Sequence, residues 1–179
     1  MAESFVNSVT RAVGVVTSSS AGAVGVQTNL ITGITTTNVT VGDIVENSNF
    51  IAGTKVSSIG VNSTTVDRAS TNTTAATSQT VKYLGLTTAY TSASGTKSII
   101  IGGTFANNTD SEVEITVHLY DNSASATPSI ISRVPVPNGS SFVLSDTGKT
   151  VLEGLDAIRV YCDTANAIDV QLGILKGVN

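Results

Sequence analysis

The sequence predicts an all-β protein: an antiparallel β-sandwich of jelly-roll or Ig-like type, a smaller N-terminal β module and a short N-terminal arm. Three observations predict it. Almost every apolar run alternates with period two, as in Glu112-Val113-Glu114-Ile115-Thr116-Val117-His118-Leu119, which places Val113, Ile115, Val117 and Leu119 on one face. Turn-forming clusters interrupt these runs at close spacing: Asn-Asn-Thr-Asp from 107, Pro-Asn-Gly from 137, Asp-Thr-Gly-Lys from 146 and Asp-Thr-Ala-Asn from 163. Composition agrees, because hydrophobic residues make up 40% of the chain and aromatics only 4%, with no Trp, so Val, Ile, Leu and Ala must build the core.

The first residues are open to two readings. Phe5, Val9 and Val13 recur at helical spacing and Ser4 suits a helix cap, whereas the β-branched content favours an extended arm. The arm is the preferred reading, with Phe5, Val6, Val9 and Val13 docking on a neighbouring subunit because so short a segment cannot bury them within itself. A strand is expected over 12–17. Residues 25–84, rich in Thr, Ser and Asn, form the small module with strands at 54–60, 63–67 and 78–84. A compositional seam near 85 separates it from the sandwich at 85–179, leaving 1–24 as arm and first strand. If 13–17 pairs with the larger sheet, the module is an insertion. The sandwich strands are expected at 97–106, 112–119, 129–134, 140–144, 149–153, 157–162 and 168–174, the last again alternating as Ile168-Asp169-Val170-Gln171-Leu172.

Charge narrows the function classes. Only 12% of residues are charged, about half the usual share of a soluble domain, so the surface must be covered by Thr, Ser and Asn or by other subunits. The net charge is −4, the pI near 4.7, and the nine basic residues are scattered singly, which argues against a nucleic-acid partner. No run approaches the roughly 20 apolar residues of a membrane span. Met-Ala-Glu-Ser-Phe carries an acid where a secretory signal would be basic, so synthesis in a cytoplasm is expected.

Candidate chemistry is sparse. His118, the single histidine, falls on the polar side of its strand beside Glu114 and Thr116, and no second His or Cys ligand accompanies it. Serines abound, but no Gly-x-Ser-x-Gly elbow occurs. Asp110, Glu112 and Glu114 form an acidic run without the spacing of a calcium loop, so a solvated strand face is the plainer reading. Ser92-Ala93-Ser94-Gly95-Thr96-Lys97-Ser98 has Tyr90 where a phosphate loop needs its first glycine, and a strand rather than a helix follows. Cys162, the lone cysteine, alternates in step with Ile158 and Val160 and reads as a buried thiol. Asn-x-Ser/Thr sequons begin at Asn38, Asn62, Asn72, Asn107 and Asn138, as an Asn/Thr-rich composition yields by chance. No catalytic, cofactor or metal residue is therefore expected.

Two longer phrases carry a resemblance. Val41-Gly42-Asp43-Ile44-Val45, then Ile51-Ala52-Gly53-Thr54-Lys55-Val56-Ser57-Ser58-Ile59, then Thr65-Val66 resembles a phrase of tailed-bacteriophage virion proteins, especially tail and fibre proteins of phages infecting cyanobacteria. The order Pro135, Pro137, Gly139, Ser140, then Val151-Leu152-Glu153, Asp156, Ile158 and Val160, is similar to a second phage virion module. Ser94-Gly95-Thr96 stands where that module has Pro-Ala-Gly. The resemblance spans most of the chain and implies a non-enzymatic structural protein of a tailed phage. Candidate places are capsid decoration or cement, neck or collar, and tail or fibre. It further implies a homo-oligomer bound to other virion proteins of capsid, neck or tail, located in the virion and assembled in the host cytoplasm, with no cofactor. The alternative is a receptor- or glycan-binding fibre module, which needs exposed rings, and Tyr90, Tyr120 and Tyr161 are the candidates.

Overall fold

A computed structural model describes residues 3–144 and 149–178, and these contain no helix. The strands are β1 (Ser4–Val13), β2 (Val16–Val24), β3 (Leu30–Thr32), β4 (Ile44–Glu46), β5 (Val56–Gly60), β6 (Ser63–Val66), β7 (Ala76–Leu84), β8 (Thr87–Thr91), β9 (Lys97–Asn107), β10 (Val113–Tyr120), β11 (Ser129–Val136), β12 (Ser141–Leu144), β13 (Thr150–Leu152), β14 (Ala157–Cys162) and β15 (Ile168–Val178). They divide into two compact units. The first comprises 1–13, 87–160 and 167–179, and the second 14–86 and 161–166.

The first unit is a two-sheet sandwich. One sheet runs β1-β15-β9-β12, with β13 also pairing β9; the other runs β11-β10-β14-β8. Strict alternation explains the packing. In β15, Ile168, Val170, Leu172 and Ile174 are buried while Asp169, Gln171 and Gly173 between them are not. In β10, Val113, Ile115 and Val117 are fully buried. Each such side chain contributes about 1.5–3 kcal/mol relative to exposure. Polar bridges tie the sheets: Tyr90 and Ser98 hydroxyls lie 2.9 Å apart, and the Asn107 amide donates to the Val136 carbonyl at 2.9 Å. At one margin, the Ser8 and Thr10 hydroxyls of β1 donate to the Ala89 carbonyl of β8.

The second unit is a six-stranded sheet, β4-β7-β2-β3-β6-β5. Its core gathers Val24, Ile31, Ile34, Val45, Val56, Val66, Val81 and Tyr83. Asp43 belongs to the loop before β4, where its carboxylate accepts bonds from Thr40 N–H (2.9 Å) and the Thr40 hydroxyl (2.7 Å). In the first unit Asp156 acts alike, accepting from Asn122 N–H and Glu153 N–H at 2.9 Å each. The aspartates of both quoted phrases are thus loop ties, Asp156 held by two backbone donors and Asp43 by one backbone N–H and the hydroxyls of Thr40 and Thr17.

Several expectations are corrected. Residues 4–13 are neither helix nor free arm but a ten-residue edge strand paired antiparallel to β15, from Ser4↔Lys176 to Val13↔Ile168. The segment that admits helical spacing is a strand in which Phe5 and Val9 face outward while Ser8 and Thr10 reach β8. The strand expected over 12–17 is split, because Gly14 takes a φ of +93° between β1 and β2. β2 was not expected: Thr17-Ser18-Ser19-Ser20-Ala21-Gly22 lacks an apolar alternation, and the segment is held instead by its pairing with β7 and by close approach at Gly22, where a Cβ would lie 2.6 Å from Ile34 Cγ2. β3, β4 and β8 are also additional to the expected strands. Thr116 is buried rather than on a polar face, its hydroxyl accepting from Arg133 N–H at 3.1 Å where the β10–β11 register shifts. The turn expected at 146–149 lies, save Lys149, outside the described residues.

Candidate interaction surface

The residues singled out for chemistry have structural partners. The Glu114 carboxylate takes both Nε (2.9 Å) and an Nη (3.3 Å) of Arg133, and His118 Nδ1 lies 3.3 Å from the Ser129 hydroxyl. Cys162 is 1% exposed and its Sγ donates to the Thr164 carbonyl. Among the described residues, no group of three His, Cys, Asp or Glu side chains could hold a metal ion. Asn107, a sequon residue, is buried, its amide bonded to three carbonyls and its oxygen capping the Thr109 turn. The three tyrosines are also engaged. Tyr90 is buried, the Arg159 guanidinium stacks 3.7 Å above the Tyr120 ring, and Lys55 Nζ lies 5.4 Å from the Tyr161 ring.

The four residues proposed for docking separate. Phe5 is 78% exposed and Val9 65%, both on the outer side of β1; Val6 is half-buried on the opposite side, and Val13 is fully buried in its own unit. Val13 is therefore corrected: pairing with Ile168 gives it an intrachain core place, and it is not presented to a neighbour.

Phe5 and Val9 do not stand alone. Antiparallel partners share a face, so the register extends each across the sheet. Phe5 faces Leu175, Leu175 faces Ile99, and Ile99 faces Val151, an unbroken apolar row on the outer surface. Val9 faces Gln171, Gln171 faces Thr104, and Thr104 faces Val143, which is 54% exposed. Between these rows lies a trough floored by Gly173 and Gly102, with Ile101 bulged beside it where the β9–β15 register slips. The groove has a volume of about 510 Å³ and is walled by Phe5, Asn7, Ile101, Thr104, Val143 and Gln171.

The outer face of the other sheet is a control within the same unit. It presents Glu114–Arg133, His118–Ser129 and Arg159, paired and polar. The sequence singles out Phe5 and Val9 on this face but not Ile99, Ile101, Val143, Val151 and Leu175 beside them. One signal pointed to them: Ile99-Ile100-Ile101 is apolar without alternation, as a strand covered on both faces would be. The glycines that follow answer to their own fold, since a Cβ would lie 2.7 Å from Leu172 Cδ2 at Gly103 and 3.3 Å from the Leu144 carbonyl at Gly102. No protein-family model matches the chain, and neither a curated protein nor a solved structure matches it.

Proposed function

We propose that this chain is a non-enzymatic structural component of a tailed-phage virion, a decoration, cement or neck/tail accessory protein that associates with itself and with the capsid, neck or tail lattice. The observation that carries the reading is the apolar outer face of the β1-β15-β9-β12 sheet, set against the polar outer face of its companion sheet. A lone domain gains nothing from exposing the Phe5–Leu175–Ile99–Val151 row together with Val9, Ile101 and Val143, and apolar groups so gathered, here interleaved with Asn7, Gln171 and Thr104, mark a contact surface. Low overall charge and the likeness of the Val41–Val66 and Pro135–Val160 segments to phage virion phrases support the same reading. A glycan-binding module is less well supported, since Tyr90, Tyr120 and Tyr161 are covered or stacked and offer no open ring to a sugar. The test is quantitative peptide mass spectrometry on purified particles of the encoding phage. A fixed copy number per particle is expected; absence from particles overturns the proposal.

A further inference from the structure

We infer that the outer face of the β1-β15-β9-β12 sheet is a two-fold contact with a second copy of this chain, in which Phe5 of each copy enters the glycine trough of the other. The inference rests on the reading of the chain as an assembly protein and names the partner of the surface that carries that reading.

Shape supplies the first argument. A two-fold contact joins the same patch on both subunits, so the patch must carry a protrusion and its own receptor. Phe5 is the most exposed large hydrophobic residue of the face, and the trough over Gly102 and Gly173 lies beside it on the same surface. At Gly173 an added Cβ would meet nothing closer than the Gly102 carbonyl at 3.8 Å, so the absence of a side chain there is not demanded by the fold. The Gly173 half of the floor is thus open to whatever comes from outside, whereas at Gly102 a Cβ would already lie 3.3 Å from the Leu144 carbonyl.

Charge supplies the second. The face ends in two ion pairs, Arg11–Asp169 (3.5 Å) at one end and Lys97–Glu153 (3.4 Å) at the other. Each is neutral, so two copies meet without like-charge repulsion although the whole chain carries −4. A partner strongly acidic or basic would find no complement here.

Area supplies the third. Four strands at about 4.8 Å spacing and eight residues at about 3.4 Å each span roughly 19 by 27 Å, or about 520 Å² in plan. Two copies together cover about 1,000 Å², at the threshold of a specific interface and before the relief of protruding side chains is added. A dimer of modest affinity follows.

Sedimentation velocity on the full chain, from micromolar to near-millimolar concentration, tests this. The wild type should pass from monomer to dimer. Phe5→Asp removes the protrusion and Gly173→Leu fills the trough; each should weaken dimerisation at least tenfold while far-ultraviolet circular dichroism stays unchanged. Thr88→Asp, on the exposed outer side of β8 in the other sheet, should dimerise like the wild type. A wild type that stays monomeric overturns the inference, as does an oligomer that survives both Phe5→Asp and Gly173→Leu. The assembly role fails separately: a monomer still found in particles overturns the two-fold contact alone, and a dimer absent from particles overturns the virion role while supporting this contact.

Discussion

Tyr83 and Thr64 share a hydrogen bond, 2.8 Å between hydroxyls, at positions where neither side chain is exposed. Removing one partner strands the other in an apolar core. Tyr83→Phe should therefore cost about 1–2 kcal/mol in urea unfolding, and adding Thr64→Val should restore part of it, because neither polar group then remains unpaired. Burial also pushes the Tyr83 phenol above its ordinary value. A raised folded value means stability that is present below the unfolded tyrosine value and lost as pH rises through the folded one, so Tyr83→Phe should flatten the alkaline fall of the urea midpoint. Asp169 has the opposite sign. Its carboxylate accepts from Ala12 N–H, with Asn108 and Arg11 assisting, and is held below the usual carboxylate range. Its contribution is present above the unfolded carboxylate value and lost as pH falls through the folded one. Asp169→Asn should make the urea midpoint less sensitive to acid.

At the scale of elements, β10 tests the assignment of faces. Val117 is fully exposed to the core and not to water, so Val117→Asp buries a carboxylate and should cost several kcal/mol or abolish folding. His118→Ala, pointing the other way, should change stability by less than about 0.5 kcal/mol. Equal effects in thermal melts would refute the face assignment. Gly14 tests the break between β1 and β2. Its φ is +93°, and a Cβ there would overlap the Thr164 carbonyl, so Gly14→Ala should be among the most destabilising single-methyl additions in the second unit. The long strands β9, β10, β11, β14 and β15 were legible because their alternation is the direct imprint of one buried face. β2 was not, because a Ser/Ala-rich segment owes its strand to the neighbours that pair with it. The N-terminal segment, read as an extended arm docking on a neighbour, pairs instead with β15 of its own chain, a partner more distant than any local pattern records.

Over the whole molecule, the first unit is closed by its own ends. β15 lies between β1 and β9, so β1 is joined to a strand far along the chain, with residues 14–86 of the second unit intervening in sequence. Truncation before Ile168 should therefore abolish the strand signal of the first unit and release protection of β1 and β9 amides together in hydrogen exchange, while the core around Val24, Ile31 and Tyr83 keeps its protection. Such pairing across the length of the chain also predicts slow folding, in milliseconds to seconds, followed by stopped-flow circular dichroism.

The sequence by itself determined the all-β class, most of the sandwich strands and the inward residues of each, because period-two burial is a local property that neighbouring residues record. It also pointed to Phe5 and Val9 as residues in want of a cover. Only the tertiary structure decided that these two belong to a wider face. Leu175, Ile99 and Val151 join Phe5, and Gly173 and Gly102 floor a trough beside it, through registers between strands far apart in the chain. Register depends on which strands pair and where a bulge slips them, so no local pattern in the sequence could bring those residues onto one surface.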